Sequence, residues 1–208
     1  MQIVEGDLDS TDTIAREAAA ADIVLHLAAT GHLKSVQTIH QGILSNTARE
    51  KPAHWIQISG ASLLAAPEIA SPDRVPGSPS DEIFDDLDGV SKIRDLIKAY
   101  PTRAVDNYIL SVAPTAINTA LVVPHIIYGE GRGPVNTRSV QIDELAKVTL
   151  QRKKGLQVGK GLSRWGNVHS HDLSQLVLLL VEKAAQGGEA AGIWNLDGIY
   201  LTGLGEKV

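Results

Sequence analysis

The chain has 208 residues and no cysteine. That excludes disulfides, thiolate metal sites and a cysteine nucleophile, and nothing in the sequence requires an oxidising compartment. Positive charge is not in excess: 19 Lys and Arg stand against 24 Asp and Glu, for a formal net charge of -5. Nucleic acids and anionic membranes need a concentrated basic face, so neither is an expected partner. The single basic cluster, Arg152-Lys153-Lys154, suits the solvated end of a helix, where the dipole favours cations. Long apolar runs are missing as well: the longest, Leu176 to Val181, is far short of a bilayer span, and no basic-then-apolar leader opens the chain. A cytoplasmic protein is expected. Several motifs are also lacking, among them HExxH, GxSxG and GxGxxG, and neither an internal repeat nor a dividing linker occurs.

At 43% hydrophobic and 21% charged residues, the composition is that of one globular domain able to bury a sizeable core. Short apolar runs alternate with helical patterns throughout, which predicts a parallel, doubly wound type of α/β sheet with flanking helices. Strands are expected at Gln2 to Leu8, Asp22 to Ala28, Trp55 to Ser59, Ala116 to Val123, Leu156 to Val158 and Gly192 to Leu196. Helices are expected at Asp12 to Ala20, from Leu33 to Thr47, from Phe84 to Ile97 with Asp81 as cap, from Ala104 to Val112, over 140–152, and from Leu173 to Ala185 capped by Asp172. The proline-rich stretch 66–80 reads as a surface loop. One domain is expected over 1–208, with a sheet core at 1–135 and a small substrate-side segment of the same domain at 136–208.

The stretch Thr115 to Pro134 organises the reading. Its first half is a strand buried on both faces, stopped by Pro124. Beyond it, His125 to Tyr128 and the glycine-rich loop 129–134 lie past the carboxyl end of a central strand, where open α/β sheets bind ligands. A parallel sheet would bring Tyr128 and His125 to the same rim as Trp165, Asn167 and His169, giving aromatic walls and polar contacts for a small organic molecule. The alternative is that Trp165 packs under a loop and Tyr128 belongs to the core. His169 and His171 share a face on an extended segment, but a helix entry accounts for them, and no metal is expected.

Four segments, in order, resemble the extended short-chain dehydrogenase/reductase family, particularly its NAD-dependent epimerase/dehydratase-like and NmrA-like members of fungal type. Glu5-Gly6-Asp7-Leu8 is similar to the family's third strand, Val24 to Ala29 to the fourth, Ile58 to Ser62 to the fifth and Pro124 to Gly129 to the sixth. Asn167 to Leu173 also resembles the family's His-Val-x-Asp-Leu entry into a late helix. The resemblance implies a truncated Rossmann-like parallel sheet and NAD(P), with cofactor contacts at Asp7, Leu8, Ala28, Ala29 and Ser59. It implies a substrate that is a small metabolite met by Trp165, Asn167, His169 and Arg103, and catalytic candidates Tyr128, His125 and Ser62.

The sequence departs from the family's pattern at two places. The glycine-rich strand-helix-strand unit that grips the diphosphate is not found, so the cofactor is implied by resemblance alone and the alternative is none. The Tyr-x-x-x-Lys pair is also missing: Tyr100, Tyr108 and Tyr128 are followed at that spacing by Ala104, Val112 and Arg132. Arg103 and Asp106 occupy the helix that would carry the lysine, and an arginine does not shuttle protons near neutrality. Three functions are therefore open: an NAD(P)-dependent epimerase/dehydratase- or reductase-like enzyme impaired in hydride transfer; a cofactor-independent cyclase, isomerase or lyase of secondary metabolism; and a non-catalytic binding remnant. Because two central strands are missing from the family's order, the strand at Ile3 is expected to pair with that at Ile23, or another chain to fill the gap, and a homo-oligomer is expected.

Overall fold

The computed structural model describes residues 2–134, 137–187 and 192–203. The chain runs α1 (Thr11–Ala20), β1 (Ile23–His26), α2 (Leu33–Ser45), β2 (Ala53–Ile58), a 3-10 turn (Ala61–Leu63), α3 (Ala66–Ala70), α4 (Val90–Ala99) and α5 (Ala104–Ser111). It continues through β3 (Ile117–Val123), β4 (Ile126–Tyr128), α6 (Gln141–Arg152), β5 (Asn167–His169), α7 (Ser170–Gln186) and β6 (Ile199–Leu201). Among the described residues the main sheet has the order β1-β2-β3-β6 with every pair parallel, and β4-β5 forms a second parallel pair. This is the parallel α/β sheet with flanking helices that the alternating pattern predicts, and the Rossmann-like one that the resemblance implies.

Side chains of β2 and β3 alternate between two cores. Trp55, Ile117, Leu121 and Val123 pack with Val36, Ile39 and Ile43 of α2 and with Ile93, Ile97, Val105 and Ile109 of α4 and α5. Ile56, Ala120 and Val122 face Leu180 and Ala184 of α7 and Trp194. Burying each such large aliphatic side chain stabilises the fold by roughly 1.5–3 kcal/mol, which explains why runs too apolar for a half-exposed strand lie at the centre of the sheet. Helices α1 and α2 pack closely at Gly42, where a Cβ would lie 2.5 Å from the Ala15 carbonyl oxygen.

Six expected features differ. The stretch 66–80, expected as a loop, opens with the short helix α3, because Pro67 suits a first helical turn. Gln2 to Leu8 forms no strand and Ile3 is 84% exposed, so β1 is an edge of the main sheet and the closure between Ile3 and Ile23 is not made. A β-branched run makes a strand only where a partner supplies the ladder, and here none does. Leu156 to Val158 is irregular, because Gly159 and Gly161 take positive φ and the segment that follows bonds to the proline-rich loop through Lys160 N to Pro76 O (3.4 Å) and Leu162 N to Gly77 O (2.8 Å). The stretch 192–196 is a turn, with Asn195 at φ 65°. Its side-chain Oδ1 accepts from Thr119 N at 3.0 Å, and the last strand begins at Ile199 instead. Helix α4 starts only at Val90, since the acidic run 81–88 repels itself and Asp86 turns inward. Finally, α7 begins at Ser170 and is capped by the His169 side chain accepting from His171 N, so Asp172 sits inside its first turn.

Candidate active site at the carboxyl rim

Two strand ends are joined by main-chain bonds: Ser59 N donates to Val122 O at 2.7 Å and Ala61 N to Pro124 O at 3.0 Å. Ser62 and His125 each follow this second bond by one residue, Ser62 in the turn after β2 and His125 past the end of β3. Arg103, at the head of α5, reaches the turn after β2. Its Nη2 donates to Ser59 Oγ (3.0 Å), its Nη1 to Ser62 Oγ (3.2 Å) and its Nε to Asp106 Oδ2 (2.6 Å). Asp106 is 1% exposed. Burial raises its carboxyl above the usual carboxylate range, against the pull of the Arg103 charge and the Ser59 hydroxyl. Ser59 is thus tied to the pair, whereas Ser62 accepts from Arg103 and keeps its own O–H proton for something else.

The His125 ring is half-buried and pinned by bare backbone. A Cβ at Gly166 would lie 2.5 Å from its Cδ2, and one at Gly203 would lie 2.7 Å from its Nδ1. Two separate segments therefore have to be glycine for the ring to occupy this place. Burial lowers the pKa of the imidazole, and the Asp86 charge opposes that. Asp86 is anchored on β6, its Oδ2 accepting from Leu201 N at 2.7 Å. Tyr200 lies beside it; burial first, then Asp86, push its phenol up to about 12, and its hydroxyl donates to Ile193 O at 2.6 Å.

Further out, the register of β4 and β5 sets Tyr128 opposite His169. Their rings meet edge to face with centroids 5.1 Å apart, and His171 meets His169 likewise at 4.8 Å. His169 Nδ1 accepts from His171 N at 3.2 Å, which assigns the proton of the neutral ring to Nε2. Gly129, at φ 93°, leaves the room that this ring occupies. Trp165 is 50% exposed rather than packed under a loop, and Asn167 donates to its carbonyl at 3.5 Å.

Of the residues that the resemblance gives to a cofactor, Leu8, Ala28 and Ala29 meet around one cavity of about 570 Å³, with Leu27, Ile58 and the loop to His32 completing the walls. Asp7 lines a neighbouring hollow of about 560 Å³ along the free edge of β1, where its carboxylate accepts from Ser10 Oγ (2.8 Å) and Asp9 N (3.0 Å). Ser59 belongs to the Arg103 cluster. The first cavity suits a flat heteroaromatic ring. It does not suit a diphosphate: its one glycine, Gly31, has no close neighbour that a Cβ would meet, and none of the positive-φ glycines among the described residues lies in this loop.

Arg103 thus joins Ser59, Ser62 and Asp106, His125 is held separately between Gly166 and Gly203, and Tyr128 and His169 form a further pair. Asp86, Gly166 and Gly203 escaped the sequence reading. The acidic run could have signalled the first, but nothing local marks the two glycines.

No family model matches the chain. It is 31% identical over 219 residues to the oxidase ucsJ of an Acremonium species, an alignment that takes in all of this chain and 62% of that protein. Among solved structures, the PbgP3 protein from Burkholderia pseudomallei superposes with a TM-score of 0.56 at 16% identity, covering 98% of this chain and 63% of that one. MoeE5 in complex with UDP-glucuronic acid and NAD gives 0.56 at 15% identity, covering 97% and 62%. The chain therefore spans a little under two thirds of each of these proteins. At such identities the solved structures establish the fold, which is the one expected from the resemblance to short-chain dehydrogenase/reductases.

Proposed function

We propose that this chain carries the substrate rim of a short-chain dehydrogenase/reductase-like enzyme acting on a small organic metabolite with a carbonyl or hydroxyl group. The observation that carries this reading is the Arg103 guanidinium held on Ser59 and Ser62 just past the end of β2, with His125 following β3 beyond the Ala61 to Pro124 bond. A carbonyl oxygen set against the Ser62 hydroxyl would be held beside a fixed cation, and His125 would take or return a proton on the neighbouring carbon or oxygen. Charge developing on that oxygen is stabilised by groups already in place, which is the largest single contribution in many enzymes. The buried Asp106 fixes the guanidinium, so Arg103 acts as a cation and not as a proton shuttle.

The 31% identity to an oxidase and a fold neighbour solved with NAD support a nucleotide cofactor, NAD(P). The described residues supply walls for one ring and no diphosphate cradle, so no step is assigned to it, and hydride transfer by these residues alone is impaired. The Arg103–Asp106 pair, standing on the helix where the resemblance puts Tyr and Lys, favours a second reading: a cofactor-independent isomerase, cyclase or lyase of secondary metabolism using the same rim.

Fluorescence titration with NADH and NADPH, together with NMR detection of deuterium uptake from D2O into a panel of small aromatic and polyketide-like ketones, separates these readings. Micromolar dinucleotide affinity supports the first. Deuterium uptake without dinucleotide, lost in Ser62→Ala or His125→Ala, supports the second. Binding of a ketone with neither leaves a non-catalytic binding protein.

A further inference from the structure

Net charge, which argues against an anionic membrane as a partner, averages over an uneven surface. Every residue from Leu150, near the end of α6, to Trp165 is exposed. The stretch carries the cations Arg152, Lys153, Lys154, Lys160 and Arg164 and no Asp or Glu, so the formal -5 of the whole chain is the sum of a basic strip and a more acidic remainder. Interleaved with the cations are apolar side chains that the fold leaves in solvent: Leu150 is 77% exposed and Val158 59%, and Leu156, Leu162 and Trp165 are exposed as well. Helix α6 buries no residue, and Ile142 and Leu145, three apart and so on one side of it, extend the apolar surface. The loop that follows is held in place. Lys153 closes α6 at φ 50°, Gly161 N donates to Val158 O at 2.9 Å, and Leu162 N ties the loop to Gly77 O at 2.8 Å. These side chains are therefore displayed in advance, with little ordering left to oppose binding.

We propose that α6 and the loop to Trp165 form a contact that seats the protein on the surface of an anionic phospholipid bilayer. Charge complementarity selects the partner, since each cation near a negatively charged leaflet strengthens binding by about fivefold. Leucine, valine and tryptophan side chains enter the interface while the lysine and arginine stems lie along it and return their charges to the headgroups. A nucleic acid would use the cations but stack its bases on aromatic rings, and the stretch offers one, Trp165, beside the aliphatic Leu150, Leu156, Val158 and Leu162. No described helix is long and apolar enough to cross a bilayer, so the contact is one of surface and not of span. Nothing in it depends on the chemistry of the rim.

The test is co-sedimentation of the full chain with vesicles of phosphatidylcholine alone and of an equal mixture with phosphatidylserine. Binding is expected on the mixed vesicles only, and it should weaken as salt is raised. Lys153→Asn with Lys154→Gln should weaken it by about tenfold or more, and Leu156→Ser with Val158→Ser by a similar factor. All four positions are exposed, so folding should survive, and either pair alone decides the matter if the other does not fold. Trp55 and Trp194 are buried, so quenching of emission by brominated acyl chains in the mixed vesicles reads Trp165, and quenching is expected. Three results would overturn the proposal: no co-sedimentation of the native chain with the mixed vesicles, binding unchanged in the folded variants, or a single-stranded oligonucleotide bound as tightly as the vesicles. Binding without quenching, which attraction of charge alone would give, would overturn it too.

Discussion

Replacing Arg103 by Met removes the partner of a carboxylate that is 1% exposed and keeps most of the side-chain bulk. Breaking a buried ion pair on one side costs about 3–5 kcal/mol, because the remaining charge is left uncompensated. In a domain of this length about 1 kcal/mol moves the midpoint by roughly 2–4 °C, so a fall of about 6–20 °C is expected at pH 7. The sign with pH follows from Asp106, whose folded pKa is raised by burial. A raised carboxyl contributes most to stability below its unfolded value and loses that contribution as pH rises through its folded value. Losing Arg103 raises it further, so the variant's deficit should shrink as pH falls below 7 and Asp106 takes up a proton. Adding Asp106→Leu to Arg103→Met should recover most of the loss at pH 7. Urea denaturation followed by circular dichroism at several pH values reads all three effects. A deficit below about 1 kcal/mol, or one that does not change with pH, would refute the reasoning.

Gly42→Ala would gain about 1 kcal/mol in helix propensity, but its Cβ meets the Ala15 backbone, where overpacking costs about 1–3 kcal/mol, so denaturation should report a net loss. Gly166→Ala should likewise lower the melting temperature, and His125→Ala in the same chain should restore part of it, since the clash is with that ring. Tyr128→Phe should leave stability within about 0.5 kcal/mol, as expected for a part-exposed side chain, while slowing whatever turnover the ketone panel reveals. Light scattering after size exclusion should give a homo-oligomer, because β1 presents an open sheet edge with Leu25 exposed beside it; monomer alone at micromolar concentration would count against this.

Hydrophobic pattern made the centre of the fold legible. The run at Leu121 is too continuously apolar to be anything but a strand covered on both faces, and it is one. The edges were less legible because their state depends on partners: Ile3-Val4 has strand chemistry but no ladder, and the turn at Asn195 is held by bonds to Thr119, 76 residues away. The same distinction divides the site. Position past β3 pointed to His125, and the order of motifs pointed to Ser62 and Arg103. Their surroundings were hidden, because Arg103 reaches Ser59 and Ser62 across 44 and 41 residues, and the glycines that admit His125 come from two further segments.

The central claim is that ligands meet this protein where β2 and β3 end. Backbone NMR shift mapping of the isotope-labelled chain, with a ketone from the panel that raises its melting temperature, tests it most directly. Shifts should cluster at Ser59 to Leu63, Arg103, His125 to Tyr128 and Gly166 to His169. Shifts confined to the opposite end of the sheet, around His54, Asn118 and Asn195, would contradict it.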